Sequence, residues 1–181
     1  MEKSNLVKKE YISHYESPLG DIIMACDEKS LTGLWFDGQK YDRATLCDNH
    51  EEKETPVFNE VKRWLDIYFN GEKPEFTPPV KIKSEGLEKE VAEILMRIPY
   101  GKTATYKEIA ACVAKKRGVL KMSAQAVGQA VAHNAIALIV PCHRVVGSDG
   151  SLTGYAGGVD KKVELLTLEK VTIKDNKVKN D

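Results

Sequence analysis

The sequence predicts an α+β protein: a small antiparallel-sheet N-terminal domain over residues 1–80 and a helical C-terminal domain with a helix-turn-helix over residues 81–181. Three observations predict it. Before residue 37, short runs of strand formers alternate with turn signals. From residue 57 onward, apolar residues recur at helical spacing. In the second half, two short helical segments flank a basic stretch without acidic residues, the layout of a helix-turn-helix.

Tyr11–Tyr15 is rich in strand formers, Pro18-Leu19-Gly20-Asp21 is a turn, and Ile22–Cys26 is a second strand. Asp27-Glu28-Lys29-Ser30 turns the chain again into Leu31–Phe36. Strands joined by such tight turns form an antiparallel meander. Residues 37–55 are polar and read as irregular. Val57, Phe58, Val61, Trp64, Leu65, Tyr68 and Phe69 then make a helical stripe that stops at Asn70-Gly71. Those aromatics read as core. Pro74 to Pro79 reads as a linker.

Leu87, Val91, Ile94, Leu95 and Ile98 form the next stripe, ended by Pro99-Tyr100-Gly101. Thr105-Tyr106-Lys107-Glu108 fits a capping box, in which the threonine oxygen and the glutamate each accept from the other's backbone amide. Ala114 to Met122 reads as a basic loop, after which Ser123 caps a helix of small residues running to about His133. A glycine inside a helix costs about 1 kcal/mol relative to alanine, so Gly128 points to close approach of another backbone. Ile136–Val140 reads as a buried, extended run that delivers Pro141 and Cys142. A Gly147–Gly150 turn, a glycine-rich loop at Gly154–Gly158 and a last helix with Val159, Val163, Leu166 and Glu169 follow. Lys174–Asp181 reads as a frayed polar tail.

Composition narrows the function. Of 181 residues 42% are apolar and 30% charged, the balance of a soluble globular protein. No apolar run approaches the roughly 20 residues needed to span a bilayer. The start, Met1 to Asn5, lacks the apolar stretch of a secretory signal, so a cytoplasmic protein with no membrane partner is expected. Net charge is zero but unevenly spread: Ile109 to Ser148 holds no Asp or Glu, only Lys115, Lys116, Arg117, Lys121 and Arg144. Such a stretch in a neutral protein suggests an anionic partner for one face.

The four cysteines, Cys26, Cys47, Cys112 and Cys142, are widely spaced and form neither a disulfide framework nor a zinc motif. Cys142 stands apart because His143 and Arg144 follow it. A cysteine attacks as thiolate, and its ordinary pKa of about 8.5 calls for a base or a positive neighbour. Adjacent residues need not face the same way, so the spacing alone makes Cys142 a candidate nucleophile and no more.

Pro141-Cys142-His143-Arg144-Val145-Val146, with Gly154-Tyr155 and Gly157-Gly158 downstream, resembles the signature of the 6-O-alkylguanine-DNA alkyltransferases. Ile98-Pro99-Tyr100-Gly101-Lys102-Thr103, Thr105-Tyr106 with Ile109-Ala110, and Ala126-Val127-Gly128 with Asn134 are similar to that family as well. The likeness runs from about Leu87 to Glu169. It implies a ribonuclease H-like N-terminal domain and a single-use reaction in which Cys142 keeps an alkyl group taken from the 6-oxygen of guanine. The 4-oxygen of thymine stays open as a second target. It implies that His143 takes the thiol proton through a water and that Glu169 orients the imidazole. Asn134 would organise the site, Tyr106 would assist departure of the guanine oxygen, and Tyr155 would lie over the base pocket. Arg144 would support the site from beneath, and with Val145 it is also expected on the DNA side. The partner is alkylated DNA, double- or single-stranded, with the target nucleotide flipped out. Ser123, Ala124, Gln125 and Ala126 would approach a minor groove, with Lys121 on phosphate. No metal, no organic cofactor and no obligate protein partner are implied, and the chain is expected to be a monomer.

Three positions depart from the family pattern. Gln125 stands where an arginine commonly fills the hole left by the extruded base. The loop from Cys112 to Ser123 is longer than in many relatives, and Ala156 replaces a frequent serine. Other readings are a lesion-binding protein without transfer, a cysteine hydrolase using Cys142 and His143, and a transcription-factor-like module with a buried cysteine. A helix-turn-helix speaks against the hydrolase, and a cysteine at position 142 speaks against the non-transferring binder.

Overall fold

A computed structural model describes residues 8–179. The expectation about Met1 to Asn5 lies outside the described residues, as do the last two positions of the tail. Strands β1 (Glu10–Ser17), β2 (Gly20–Cys26) and β3 (Leu31–Phe36) form the expected antiparallel meander. The sheet has a fourth member. β4 (His50–Glu52) lies parallel to β1, giving the order β3-β2-β1-β4 and a mixed sheet. Residues 37–55 are therefore not wholly irregular. β4 is three exposed polar residues, too short and too polar to announce itself by alternation.

Alternate side chains of the sheet separate its faces. Ile22, Met24, Leu34 and Phe36 turn towards helix α1 (Pro56–Phe69) and the main core, whereas Ile23, Ala25 and Trp35 form a small cluster on the opposite face with Leu46. Gly33 belongs to that second face. A Cβ there would lie 2.0 Å from the Trp35 ring, so only glycine lets the indole lie down on the strand. Thr55 caps α1 by accepting from the Phe58 amide, and Pro56 occupies the first turn, where its missing N–H costs nothing.

The second half contains α2 (Gly86–Leu95), α3 (Tyr106–Arg117), α4 (Ala124–Ala132) and α5 (Val159–Leu168), with α2, α3 and α4 packed on one another. The capping box at Thr105 is complete: its hydroxyl accepts from Glu108 N at 3.1 Å and its amide donates to the Glu108 carboxylate at 2.7 Å. α3 runs on to Arg117 and ends at Gly118, whose φ of 68° is the left-handed cap glycine accepts freely. Lys115, Lys116 and Arg117 thus form the last turn of α3 and do not belong to a loop. There they face the helix's negative end. Gly128 of α4 meets no backbone. Its nearest neighbour is the ring of Tyr106, 3.9 Å from where a Cβ would sit.

The halves are stitched through β3. Leu31 donates to Pro79 O and accepts from Lys81 N, and Leu34 does the same with Ala135 O and Ala137 N. One apolar core runs through both, from Ile22 and Phe58 to Val91, Val140 and Leu165. The 136–140 segment is buried as expected but is a tight turn. Val140 N reaches back to Ile136 O, and Leu138 has a φ of 69°. The tail is not frayed throughout, because β7 (Ile173–Lys174) and β8 (Lys177–Val178) pair as a hairpin and Val178 N donates to Gly150 O. Among the described residues no helix is long and apolar enough to cross a membrane.

Candidate active site

The turn at 136–140 ends at Pro141, and Cys142–Arg144 forms a single 3₁₀ turn. Asn134 braces this approach. Its side-chain nitrogen donates to Val140 O at 2.8 Å and its oxygen accepts from Ile136 N at 3.1 Å. Directly after the 3₁₀ turn, β6 (Val145–Val146) pairs with β5 (Ala104–Thr105), the two residues that precede Tyr106. One two-residue ladder therefore fixes Cys142 relative to Tyr106.

Cys142 is 6% exposed and lines a cavity of about 200 Å³ with Tyr106, Val131, Gly154, Tyr155 and Lys40. That is below the roughly 300–1,000 Å³ of a drug-sized pocket and leaves room for a small ligand group. Burial pushes the thiol above its ordinary pKa, while the Asn134 amide and the Lys162 ammonium pull the other way. Burial likewise raises the Tyr106 and Tyr155 phenols, with the Cys142 charge adding to it, so both stay protonated at neutral pH. The Tyr106 hydroxyl donates to Thr153 O at 3.3 Å.

Behind Cys142 is a buried network centred on Glu169, the residue that caps α5. One carboxylate oxygen accepts from His143 Nε2 and from the Tyr68 hydroxyl at 2.8 Å. The other accepts from Arg144 Nε at 2.8 Å and from Gly101 N at 3.0 Å. Four donors meet the four lone-pair positions of one carboxylate. Burial alone would raise the Glu169 pKa, but the bonds from His143, Arg144 and Gly101 outweigh it and bring it down to about 2. Burial lowers the His143 pKa despite Glu169, so the imidazole rests neutral. With Nε2–H directed at Glu169, Nδ1 carries the free lone pair. His143 Nδ1 and the Tyr155 hydroxyl are buried without a hydrogen-bond partner among the described residues. Such atoms mark places for water or substrate.

The expected site residues fall into three groups. Cys142, His143, Glu169, Asn134, Tyr106 and Tyr155 come together around the cavity and its rear wall. Ser123, Ala124, Gln125 and Lys121 are exposed at the start of α4, with Ala126 half-buried behind them. Arg144 and Val145, expected on the DNA side, are buried. The Arg144 guanidinium is occupied by Glu169 and by Ile98 O at 2.7 Å, and the Val145 side chain lies in the core. Neither side chain is presented to an outside ligand.

Two participants escape the sequence reading. Tyr68 was one aromatic in a core stripe, and only its being Tyr rather than Phe hinted at a polar duty. Lys162 is fully buried, its three N–H groups directed at the carbonyls of Val145, Thr153 and Gly154, the last at 3.1 Å. Burial lowers its pKa to about 8. The signal was present: Val159, Lys162, Val163 and Leu166 share the inward face of α5, and lysine is almost never fully buried unless partnered.

Comparison with known proteins places both halves of the chain in one family. Residues 11–82 match the ribonuclease-like domain of 6-O-methylguanine DNA methyltransferase, and residues 86–171 match that family's DNA-binding domain. The chain is 38% identical over 167 residues to the constitutive methylated-DNA–protein-cysteine methyltransferase of Bacillus subtilis, covering 91% of this chain and 98% of that one. It is 46% identical over 162 residues to the methylated-DNA–protein-cysteine methyltransferase of Methanosarcina acetivorans, covering 88% and 97%. The crystal structure of Mycobacterium tuberculosis OGT in complex with DNA superposes with a TM-score of 0.74 at 36% identity, covering 90% of this chain and 92% of that one.

Proposed function

The chain belongs to the 6-O-methylguanine-DNA methyltransferases, and from that membership we propose how its own residues carry out the reaction. The protein repairs DNA by direct reversal, moving an alkyl group irreversibly onto a cysteine of its own. That cysteine is Cys142. The observation that carries the assignment is a buried thiol lining a cavity of about 200 Å³, followed in the same 3₁₀ turn by His143, which is bonded to the buried Glu169.

At rest the thiol is protonated, because burial raises its pKa. His143 Nδ1 takes that proton through one water, and Glu169 stabilises the imidazolium that forms. The thiolate attacks the alkyl carbon. The carbon–sulfur bond forms as the carbon–oxygen bond breaks, and the electron pair leaves on the guanine oxygen. Tyr106, held protonated by burial, turns its hydroxyl from Thr153 O to the departing guanine oxygen and gives up its proton there, and the proton that His143 took returns through water to the Tyr106 oxygen, so guanine leaves neutral. The thioether has no good leaving group, so each protein molecule acts once. Asn134 holds the turn that aims Cys142. Lys162 fastens the 153–154 segment before the pocket loop and places a positive charge near the thiolate.

The target base reaches this cavity only when flipped out of a duplex or already unstacked in a single strand. α4 lies along the rim, with Ala124 and Ala126 for close approach, Ser123 and Lys121 for phosphate, and Gln125 in the gap left by the base. The division near residue 80 gives the sheet half to support and the helical half to chemistry. The chain acts as a monomer in the cytoplasm, with no cofactor.

Intact mass after incubation with a duplex carrying 6-O-methylguanine tests the assignment. One methyl per protein, on the Cys142 peptide and absent in Cys142→Ser, is expected. A methylated Cys142→Ser protein, or more than one turnover per molecule, overturns it.

A further inference from the structure

A second cavity, about 700 Å³ and open to solvent, runs along α4. It shares Lys40, Tyr106, Gly128 and Ala132 with the Cys142 cavity, so the two are one continuous depression. Its far wall is not helical. It is made by Gly147 and Ser148 and by Lys40 and Tyr41, the last two from the loop after β3, residues 37–46, which reaches over from the sheet half of the molecule.

This loop is built and does not merely connect. Tyr41 and Arg43 take positive φ values of 60° and 56°. Asp42 accepts from Gly38 N at 3.0 Å and from Arg43 at 2.7 Å, and Arg43 also pairs with Asp37. The loop's acids are thereby turned inward onto its own arginine, while Lys40 makes no ion pair among the described residues. The Tyr41 ring stacks on His133, at the end of α4, with centroids 4.1 Å apart, and stays 39% exposed. The Lys40 ammonium stands 5.1 Å from the same ring. Lys40 N donates to Ala156 O at 3.0 Å, tying the loop to the glycine-rich segment over Cys142.

The chemistry of the groove selects its occupant. No carboxylate lines it, whereas Lys40, Lys107 and His133 do. A half-exposed aromatic beside a lysine suits a sugar–phosphate strand with a base or sugar face to cover. We propose that loop 37–46 is a second DNA-contacting arm. Lys40 meets a phosphate flanking the lesion, and Tyr41, backed by His133, packs on the adjoining nucleotide across the groove from α4. The inference rests on the Cys142 reading for the identity of the partner. It adds that the sheet half is part of the DNA surface, and that DNA seated on the arm positions the loop over the pocket through the Lys40–Ala156 bond.

The test uses the full chain and the variants Lys40→Ala, Lys40→Arg and Tyr41→Ala. Binding to a duplex carrying 6-O-methylguanine is measured across a salt series, and single-turnover alkyl transfer is measured from that duplex and from 6-O-benzylguanine, a free base without phosphate. Lys40→Ala is expected to weaken duplex binding at least fivefold and to reduce the slope of log K against log salt by about 0.9, one phosphate contact. Lys40→Arg should restore the slope. For Tyr41→Ala, loss of transfer from the duplex should exceed loss on the free base by about tenfold. Equal losses on both substrates, or an unchanged salt slope in Lys40→Ala, overturn the arm. Failure of the unaltered protein to transfer from either substrate would instead overturn the Cys142 reading, so the two failures are separable.

Discussion

The rear of the Cys142 cavity and the outer face of α3 and α4 spend charge in opposite ways. Behind the thiol, His143, Arg144, Glu169 and Lys162 are buried, and every N–H of Lys162 and every lone pair of Glu169 has a partner. On the outer face, Lys115, Lys121 and Gln125 are exposed. Burial makes each inner bond dear to lose, because a deleted partner leaves an uncompensated charge in a low dielectric. Exposure makes each outer charge cheap to change. The proposed mechanism thus assigns chemistry to a few groups that cannot be replaced and recognition to several that can.

The sharpest way to break this contrast is Glu169→Gln. The amide cannot offset the His143 imidazolium and leaves Arg144 unpaired. Single-turnover transfer should fall by about 10²–10⁴-fold. Stability to denaturant should drop by about 3–5 kcal/mol. A variant that keeps its rate would remove Glu169 from the proton path.

Acid should expose the same region. Glu169 is ionised in the folded protein down to about pH 2 but would protonate near its ordinary value of 4.5 once unfolded. Between those values the unfolded chain binds the extra proton, so this contribution is complete above pH 4.5 and is lost as pH falls towards 2. His143 acts in the same direction. Its folded pKa lies below 6.5, so acidification below 6.5 favours the unfolded, protonated form. Denaturant midpoints should decline first below pH 6.5, through His143, and then more steeply below pH 4.5, where Glu169→Gln should decline less than the unaltered protein. A flat profile in the unaltered protein would contradict the buried network.

A smaller effect belongs to Gln125. Arginine there would add a positive group at the exposed start of α4 without disturbing the inner network. Gln125→Arg should tighten binding to lesion-bearing duplex, its guanidinium filling the gap left by the extruded base. Its reaction with a free alkylated base should stay as it is.

What the sequence disclosed follows the same division. The strands, α1 and the Thr105 cap were legible because each is a local pattern, a period or a four-residue box. Cys142, His143 and Glu169 were legible only through a resemblance. No local rule joins residues 142 and 169, or tells that the 3₁₀ turn and the end of α5 converge. β4 was missed because three exposed polar residues have no alternation, and the 136–140 turn because an apolar run reads alike whether extended or folded back. Lys162 is legible only as a misfit on an apolar helix face, with nothing local to name the three carbonyls it meets. Tyr68 depended on a contact 101 positions away.

The acid-free stretch at Ile109–Ser148 shows how a sequence pattern can mislead about charge. The acids it lacks are supplied by α2. Lys116 pairs with Glu93 at 3.0 Å and Arg117 with Glu90 at 2.8 Å, so two of its five basic residues are matched within the helical half, and Arg144 is matched by Glu169. Lys116→Ala should therefore cost only about 0.2–1 kcal/mol of stability, the range of an exposed ion pair. It should also leave the salt slope of DNA binding unchanged, since a lysine already paired releases no counterion. Lys121→Ala, one loop further on, should lower that slope by about 0.9 with no loss of stability. If Lys116→Ala lowers the slope as much as Lys121→Ala, the α2–α3 ion pairs yield to phosphate on binding, and the outer face is a wider DNA surface than the ion pairs imply.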